Sequence, residues 1–394
     1  MNSPTDLFEG LFDEEIVPAD NVTKYDYWQG MPEYNNIKQA DPEITATFKF
    51  RNKEDFDDFK SKITEHLYDN KRVFDGMQQK HKKQAWYPLA TKPSRYTYHQ
   101  KGDLNPRFPV YIVSKNRWKD NRTASALEKM NVPYHVIIEE DQYNKYAEYI
   151  DKSKLLILPK KYQDEYDVFW DDDDPRVGPG AARNFAWDHS IENGHEWHWV
   201  MDDNIDKFDR YNNNLKIQCN NGSVFYIAEE FVLRYTNVAQ AGLNYAIFCP
   251  AGDGRPPVKF NTRIYSCLLI RNDVPYRWRG RYNEDTDLSL RMLKDGWCTI
   301  QFNAFLAEKR ATQTVKGGNS AEFYDDEGTK NKSQMLVDMH PDVTTLTKRW
   351  NRWHHQVNYK PFENNKPILR DDVNIKDKIN EFGMLLVDNQ KDTE

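Results

Sequence analysis

A chain of 394 residues with 38% hydrophobic side chains can bury a real core in one large domain or two modest ones. No apolar run approaches the ~20 residues of a membrane helix, and the acidic first twenty residues lack the basic region of a signal peptide. The net charge of −7 weighs against a dedicated nucleic-acid binder and leaves room only for a local basic groove.

Residues 1–45 read as an acidic, irregular arm whose anchors are Tyr25, Tyr27 and Trp28. Residues 46–104 read as a small α+β module and linker. Thr45 to Phe50 alternates like a strand, and Phe56, Phe59, Ile63 and Leu67 have helical spacing. The pattern changes at 105–345. Short apolar runs (110–113, 134–138, 155–158) alternate with helix-like stretches (123–130, 143–150), which predicts βαβ units and a mainly parallel sheet. Such sheets bind ligands in the loops at the carboxyl ends of their strands. A helix over 181–192 is predicted between Gly178-Pro179-Gly180 and Asn193-Gly194. A strand over 196–201 then runs into Asp202-Asp203-Asn204. Further strands are expected at 245–249, 264–270 and 298–302, and a helix at 285–294. Residues 346–394 read as a charged helical or extended tail. Cys219, Cys249, Cys267 and Cys298 show no paired metal-ligand spacing, and buried free thiols in a reducing cytoplasm are expected.

Three segments carry chemistry. Trp199 to Met201 is an apolar strand that ends abruptly in Asp202, Asp203 and Asn204. Hard oxygen donors at a strand end suit Mg²⁺ or Mn²⁺, which bind phosphate oxygens and neutralise a diphosphate leaving group. Gly178 to Asn184 opens a helix with small residues, and a helix N-terminus favours anions; Arg183 is placed to meet a phosphate or orient the acids. Asn283-Glu284-Asp285-Thr286-Asp287 leads another helix. Its carboxylates are either dipole partners or a general base for an acceptor hydroxyl.

The order of these parts resembles inverting family-2 glycosyltransferases of the GT-A fold: Ala-Arg-Asn on a helix, a strand ending in Asp-x-Asp/Asn, then Glu-Asp before an amphipathic helix. The resemblance implies a Rossmann-like mixed sheet flanked by helices. It also implies Glu284 and Asp285 as the catalytic carboxylates. Asp202 matches the first metal-binding Asp, but Asn204 stands where a second Asp usually sits. Asn is a poorer ligand, so His340 is the candidate to complete the Mn²⁺ or Mg²⁺ set. For the donor nucleotide and diphosphate the candidates are Arg117, Glu139, Arg183 and Asp203.

Val110 to Arg117, Ala182 to His189, Trp199 to Ile205 and Glu284 to Leu288 together look like the glycosyltransferases associated with TET/base-J-binding-protein dioxygenases, many of them phage-encoded. That resemblance implies transfer from a UDP-sugar to a hydroxymethylated pyrimidine in DNA, 5-hydroxymethylcytosine first, in the host cytoplasm. Arg277, Trp278, Arg279 and Arg281 then become candidate DNA contacts, because basic residues interleaved with aromatics suit backbone binding and base stacking. Lys348, Arg349 and Arg352 alternate with Trp350, Trp353 and His354 in the same way. Two alternatives stay open: a protein, glycan or small-molecule acceptor, or a nucleotide-binding protein whose catalytic site has lapsed at Asn204.

Overall fold

The computed structural model describes residues 24–36, 38, 49–63, 95–102, 104–169, 178–309, 328–349, 352–375 and 378–389. These fall into two compact units, 1–38 with 97–387, and 39–96 with 388–394. In the smaller unit, helix α1 (Lys53–Ile63) packs Phe56 and Phe59 around the Phe50 ring, and Arg95 chelates Asp388. The predicted strand at 45–50 lies mostly outside the described residues.

The larger unit is built on one mixed sheet. Its strands in chain order are β1 (Val110–Val113), β2 (His135–Ile138), β3 (Leu155–Ile157), β4 (Trp197–Asp202), β5 (Ile205–Asn212), β6 (Leu215–Gln218), β7 (Val238–Tyr245), β8 (Val258–Phe260), β9 (Cys267–Arg271) and β10 (Cys298–Lys309). Their order across the sheet is β3-β2-β1-β4-β9-β7-β10-β5-β6, with β8 added beside β10. The first four pair in parallel, and β9 runs antiparallel to both neighbours. This is the mixed, helix-flanked α/β sheet that the GT-A resemblance implies. The strand order reverses at β1, which has β2 on one side and β4 on the other. A crevice opens at such a switch point, and parallel pairing of Val113 with Asp202 brings the ends of β1 and β4 level there.

Helix α2 (Arg122–Lys129) follows β1, α3 (Gly180–Glu192) precedes β4, α4 (Ser223–Val232) follows β6, and α5 (Glu284–Lys294) leads into β10. Gly180 is required at the start of α3, since a Cβ there would sit 1.9 Å from the Tyr166 hydroxyl oxygen. Among the described residues of the arm, Trp28 is buried against Phe231, Phe302 and Phe305.

Two strands depart from the sequence expectation for one reason. β7 precedes the predicted 245–249 run, and β10 extends well past Phe302. Polar residues mask both strands in sequence, yet they are buried and bonded to partners on other elements. Gln240 accepts from Ser289 at 2.8 Å, and Asn244 donates to Asn303 at 2.8 Å. The tail, expected to be helical or extended, is mainly extended where described, with one 3-10 turn at Lys360–Phe362. Helix α6 (Gly328–Met339) is followed by an antiparallel hairpin of β11 (Thr344–Arg349) and β12 (Arg352–Val357). The four cysteines are buried and free, as expected.

Candidate active site

Arg183 joins the three segments that sequence reading singled out. It sits in the first turn of α3, directly behind the β4 strand end, and its side chain is 3% exposed. One guanidinium nitrogen donates to Asp202 at 2.9 Å. The other donates to Glu284 at 2.9 Å and Asp285 at 2.7 Å. The planar fork of arginine can span several carboxylates in this way. Its ring-facing side lies over Trp278, 4.7 Å from the centroid. Asn184, the next residue, bonds the Trp278 backbone in both directions, donating to O at 3.0 Å and accepting from N at 2.8 Å. The Ala-Arg-Asn motif thus holds the loop that delivers the carboxylates as well as the carboxylates themselves.

Glu284 and Asp285 open α5, where acids favour the positive end of the helix dipole. Asn283 precedes them in a left-handed conformation (φ 55°), which Asn tolerates better than most residues, and its amide donates to Lys332 O at 2.6 Å. Burial raises the Asp285 carboxyl above the ordinary carboxylate range; Glu284 and Asp202 push the same way against Arg183. The Asp202 carboxyl behaves oppositely. Burial works to raise it, but Lys309 and Arg183 outweigh burial and hold it well below the ordinary range.

Asp202, Asp203, Glu284 and Asp285 line a cleft of about 420 Å³ at the switch point. Its lining carries the bases Lys115, Arg117, Arg183, Arg281, Lys309 and Lys332 against the acids Glu139, Asp202, Asp203, Glu284 and Asp285. Tyr245 and Tyr265 stack on its wall with centroids 6.3 Å apart. Across the cleft, Glu139 at the end of β2 meets Lys115 at 3.3 Å and accepts from Gln163 at 3.0 Å. Arg117 pairs with Asp203, which also accepts from Ser114 at 2.7 Å. Asp203 therefore ties the β4 end to the loop after β1, and α2 clasps the same turn through Arg122 N to Asp203 O at 3.0 Å.

Sequence reading missed Lys309, Ser266, Lys332 and His355, all of which line the cleft. Lys309 ends β10 and has no motif around it. Its ammonium lies 2.6 Å from Asp202 Oδ2 and 2.7 Å from Ser266 Oγ, and Ser266 itself donates to Asp202 at 2.5 Å.

Two sets of expected residues are placed elsewhere. His340 does not join Asp202 and Asn204. It is buried behind α5, with Nε2 2.9 Å from Asp287, a carboxylate also held by Arg291 and Arg279. The Arg277–Arg281 stretch is not a free basic face. Trp278 is 2% exposed, Arg277 pairs with Asp188 at 2.8 Å, Arg279 pairs with buried Asp287, and Arg281 is buried at the cleft. Packing beneath α3 has drawn this segment inward.

Among the described residues, the side chains as placed do not make a divalent-metal site. Among the described residues no group of three His, Cys, Asp or Glu side chains is set to hold an ion. Both Asp202 oxygens are taken by cations and a hydroxyl, and both Asp203 oxygens by Arg117 and Ser114. The buried Asn204 Oδ1 is a donor atom with no partner among the described residues, but it stands alone.

A family model described as TET-Associated Glycosyltransferase matches residues 108–318, more than half of the chain. The chain belongs to that family. It is therefore a glycosyltransferase, an enzyme that moves a sugar from an activated donor to an acceptor. The matched span runs from just before β1 to just past Lys309, so it contains the whole Arg183 cluster; the transferase's α6 and hairpin lie outside it. No curated protein matches the chain. Among the described residues, no helix of the transferase is long and apolar enough to cross a membrane.

Proposed function

We propose that this transferase moves a sugar from a UDP-sugar to the hydroxyl of a hydroxymethylated pyrimidine in DNA, with 5-hydroxymethylcytosine as the first candidate. The observation that carries the reading is the Arg183 bridge, which gathers Asp202, Glu284 and Asp285 around one guanidinium at the strand-end cleft. A sugar seated in this cleft has its diphosphate toward Lys309 and Arg117, beside the β4 end, and its reacting carbon toward α5. Asp285 is the general base in this reading. A carboxylate whose proton affinity burial has raised accepts the hydroxyl proton more readily than an exposed one. The acceptor oxygen attacks the anomeric carbon as the bond to the diphosphate breaks, a single displacement that inverts configuration. Glu139 and Lys115, at the ends of β2 and β1, are positioned for the donor's base and ribose.

The family's association with TET dioxygenases supports a pyrimidine hydroxymethyl acceptor. The β11–β12 hairpin supports a nucleic acid. Exposed Lys348 lies 5.7 Å from the Trp353 ring centre and Lys330 lies 5.8 Å from it, while His355 on the same hairpin lines the cleft. Cations around an aromatic suit a strand whose bases stack and whose phosphates need charge.

The test is mass spectrometry of nucleosides from DNA incubated with the protein and a panel of UDP-sugars. A hexose or pentose adduct is expected on hydroxymethylated DNA and not on plain DNA. Sugar transfer confined to a protein or small-molecule acceptor would remove the DNA reading. UDP-sugar binding without turnover on any acceptor would point to a lapsed site. Running the same reaction with and without Mn²⁺ or Mg²⁺ tests the sequence expectation of a metal cofactor.

A further inference from the structure

We propose that Lys309, with Arg183, supplies the positive charge on the donor diphosphate that a divalent ion is usually recruited to supply, so that transfer proceeds without one. The proposal rests on the reading that the cleft takes a nucleoside diphosphate-sugar.

Three observations point to it. First, Lys309 Nζ stands at the Asp202 oxygen that would otherwise be open to an ion, 2.6 Å from Oδ2 and 2.7 Å from Ser266 Oγ. Second, the fold aims it there. The register between β10 and β5 jumps from Glu308 opposite Lys207 to Lys309 opposite Ile205. Such irregularities are over-represented next to active sites, and at this one Lys309, the last residue of β10, lies over the Tyr245 ring and lines the cleft. Third, among the described residues the cleft lining carries more bases than acids, six against five. A metal site needs surplus carboxylate; a site that meets a diphosphate with side chains needs surplus cation, and this is the balance present.

The chemistry closes without a further reactant. The bond between the anomeric carbon and the diphosphate oxygen breaks, and its electron pair stays on that oxygen. The acceptor oxygen forms the new bond to carbon, and its proton passes to the Asp285 carboxylate. Charge grows on the departing diphosphate, where a preorganised ammonium and guanidinium stabilise it. Asp202 and Ser266 hold the ammonium in place before the donor arrives. Asp202 is thus a positioning residue and Lys309 the group that meets the phosphate.

The test compares wild type, Lys309→Met and Lys309→Arg. UDP binding is followed by calorimetry in EDTA and in Mn²⁺, and transfer by nucleoside mass spectrometry under the same conditions. Wild type should bind UDP equally in both buffers and retain its turnover in EDTA. Lys309→Met should lower kcat/KM in EDTA by about 10²-fold, the scale of losing one charge-stabilising donor, and weaken UDP binding by at least ~10-fold. Partial recovery of Lys309→Met by Mn²⁺ supports the proposal, since the ion then does the ammonium's work. Lys309→Arg, which keeps the charge, should retain more activity than Lys309→Met; circular dichroism checks that both variants fold. UDP binding or turnover by wild type that needs Mn²⁺ overturns the proposal, as does a fully active Lys309→Met in EDTA. EDTA-insensitive binding of ADP or GDP in place of UDP supports the role of Lys309 while refuting the uridine donor.

Discussion

Replacing Arg183 with methionine removes a guanidinium that touches three carboxylates at once and leaves those carboxylates facing one another. The magnitude follows from burial. The side chain is 3% exposed, Glu284 and Asp285 about one-eighth exposed, and Asp202 22%, so solvent screens the loss weakly. Removing one partner from a buried ion pair costs about 3–5 kcal/mol. With three acids left behind, the upper end of that range is expected near pH 8. That is a large part of the roughly 5–15 kcal/mol that holds a domain folded. The deficit should also shrink with acid. In wild type the Asp202 carboxyl is held below the ordinary range, so its contribution is present above pH ~4 and lost as pH falls. In the variant Asp285 loses the guanidinium that offsets its burial, so its folded-state pKa rises further and its penalty appears as pH rises above ~4. Both effects narrow the gap at low pH. Urea denaturation at several pH values measures it, with Arg183→Lys as the charge-retaining control; lysine should recover part of the stability but less of the activity, lacking the planar fork. A loss under about 1 kcal/mol at pH 8, or a deficit that grows toward pH ~4, would refute the claim that this arginine is the electrostatic hinge of the site.

Asp285→Asn should lower kcat by about 10²–10⁴-fold with the fold intact, and the acid limb of the wild-type kcat/KM profile should lie well above pH ~4, because the base works only when deprotonated and burial raises its pKa; a rate that is flat from pH ~4 to 8 counts against Asp285. His340→Gln should cost about 1–3 kcal/mol of stability by weakening support for buried Asp287, and the ratio of activity with and without Mn²⁺ should not change; a selective loss of metal response would return His340 to the site. Replacing both Lys330 and Lys348 with Ala should flatten the log–log salt dependence of DNA binding by up to ~2, about 0.9 for each phosphate that is no longer neutralised, and Trp353→Ala should weaken binding to single-stranded DNA most. An unchanged slope would remove the hairpin from the DNA surface. Gly180→Ala should destabilise the protein and impair transfer together, since its Cβ collides with Tyr166; wild-type melting would mean that the α3 start can shift freely.

What the sequence determined by itself lies at the ends of secondary-structure elements. Arg183, Asp202, Glu284 and Asp285 each stand where an element begins or stops, with glycines, an apolar run or a helical period beside them to give their position away. Strand ends meet helix starts at a switch point, so such residues converge whatever the loops do. The tertiary structure decided the rest. Lys309 carries no local signal; it reaches Asp202, more than a hundred residues away in sequence, only because the sheet brings the end of β10 to the cleft. Gln240 and Asn244 hid a central strand, because a buried amide and an exposed one look alike until their partners are known. Arg277, Trp278 and Arg279 looked like a nucleic-acid surface for the same reason. Alternating charge and aromatic side chains fit a groove or an interior ion-pair network equally well, and only the packing of α3 over that loop put Trp278 inside. His340 likewise needed α6 to lie beside α5 before its partner could be read as Asp287 rather than a metal. Local chemistry is written in the chain, whereas the identity of the charge opposite each site residue is set by contacts between segments that no local pattern encodes.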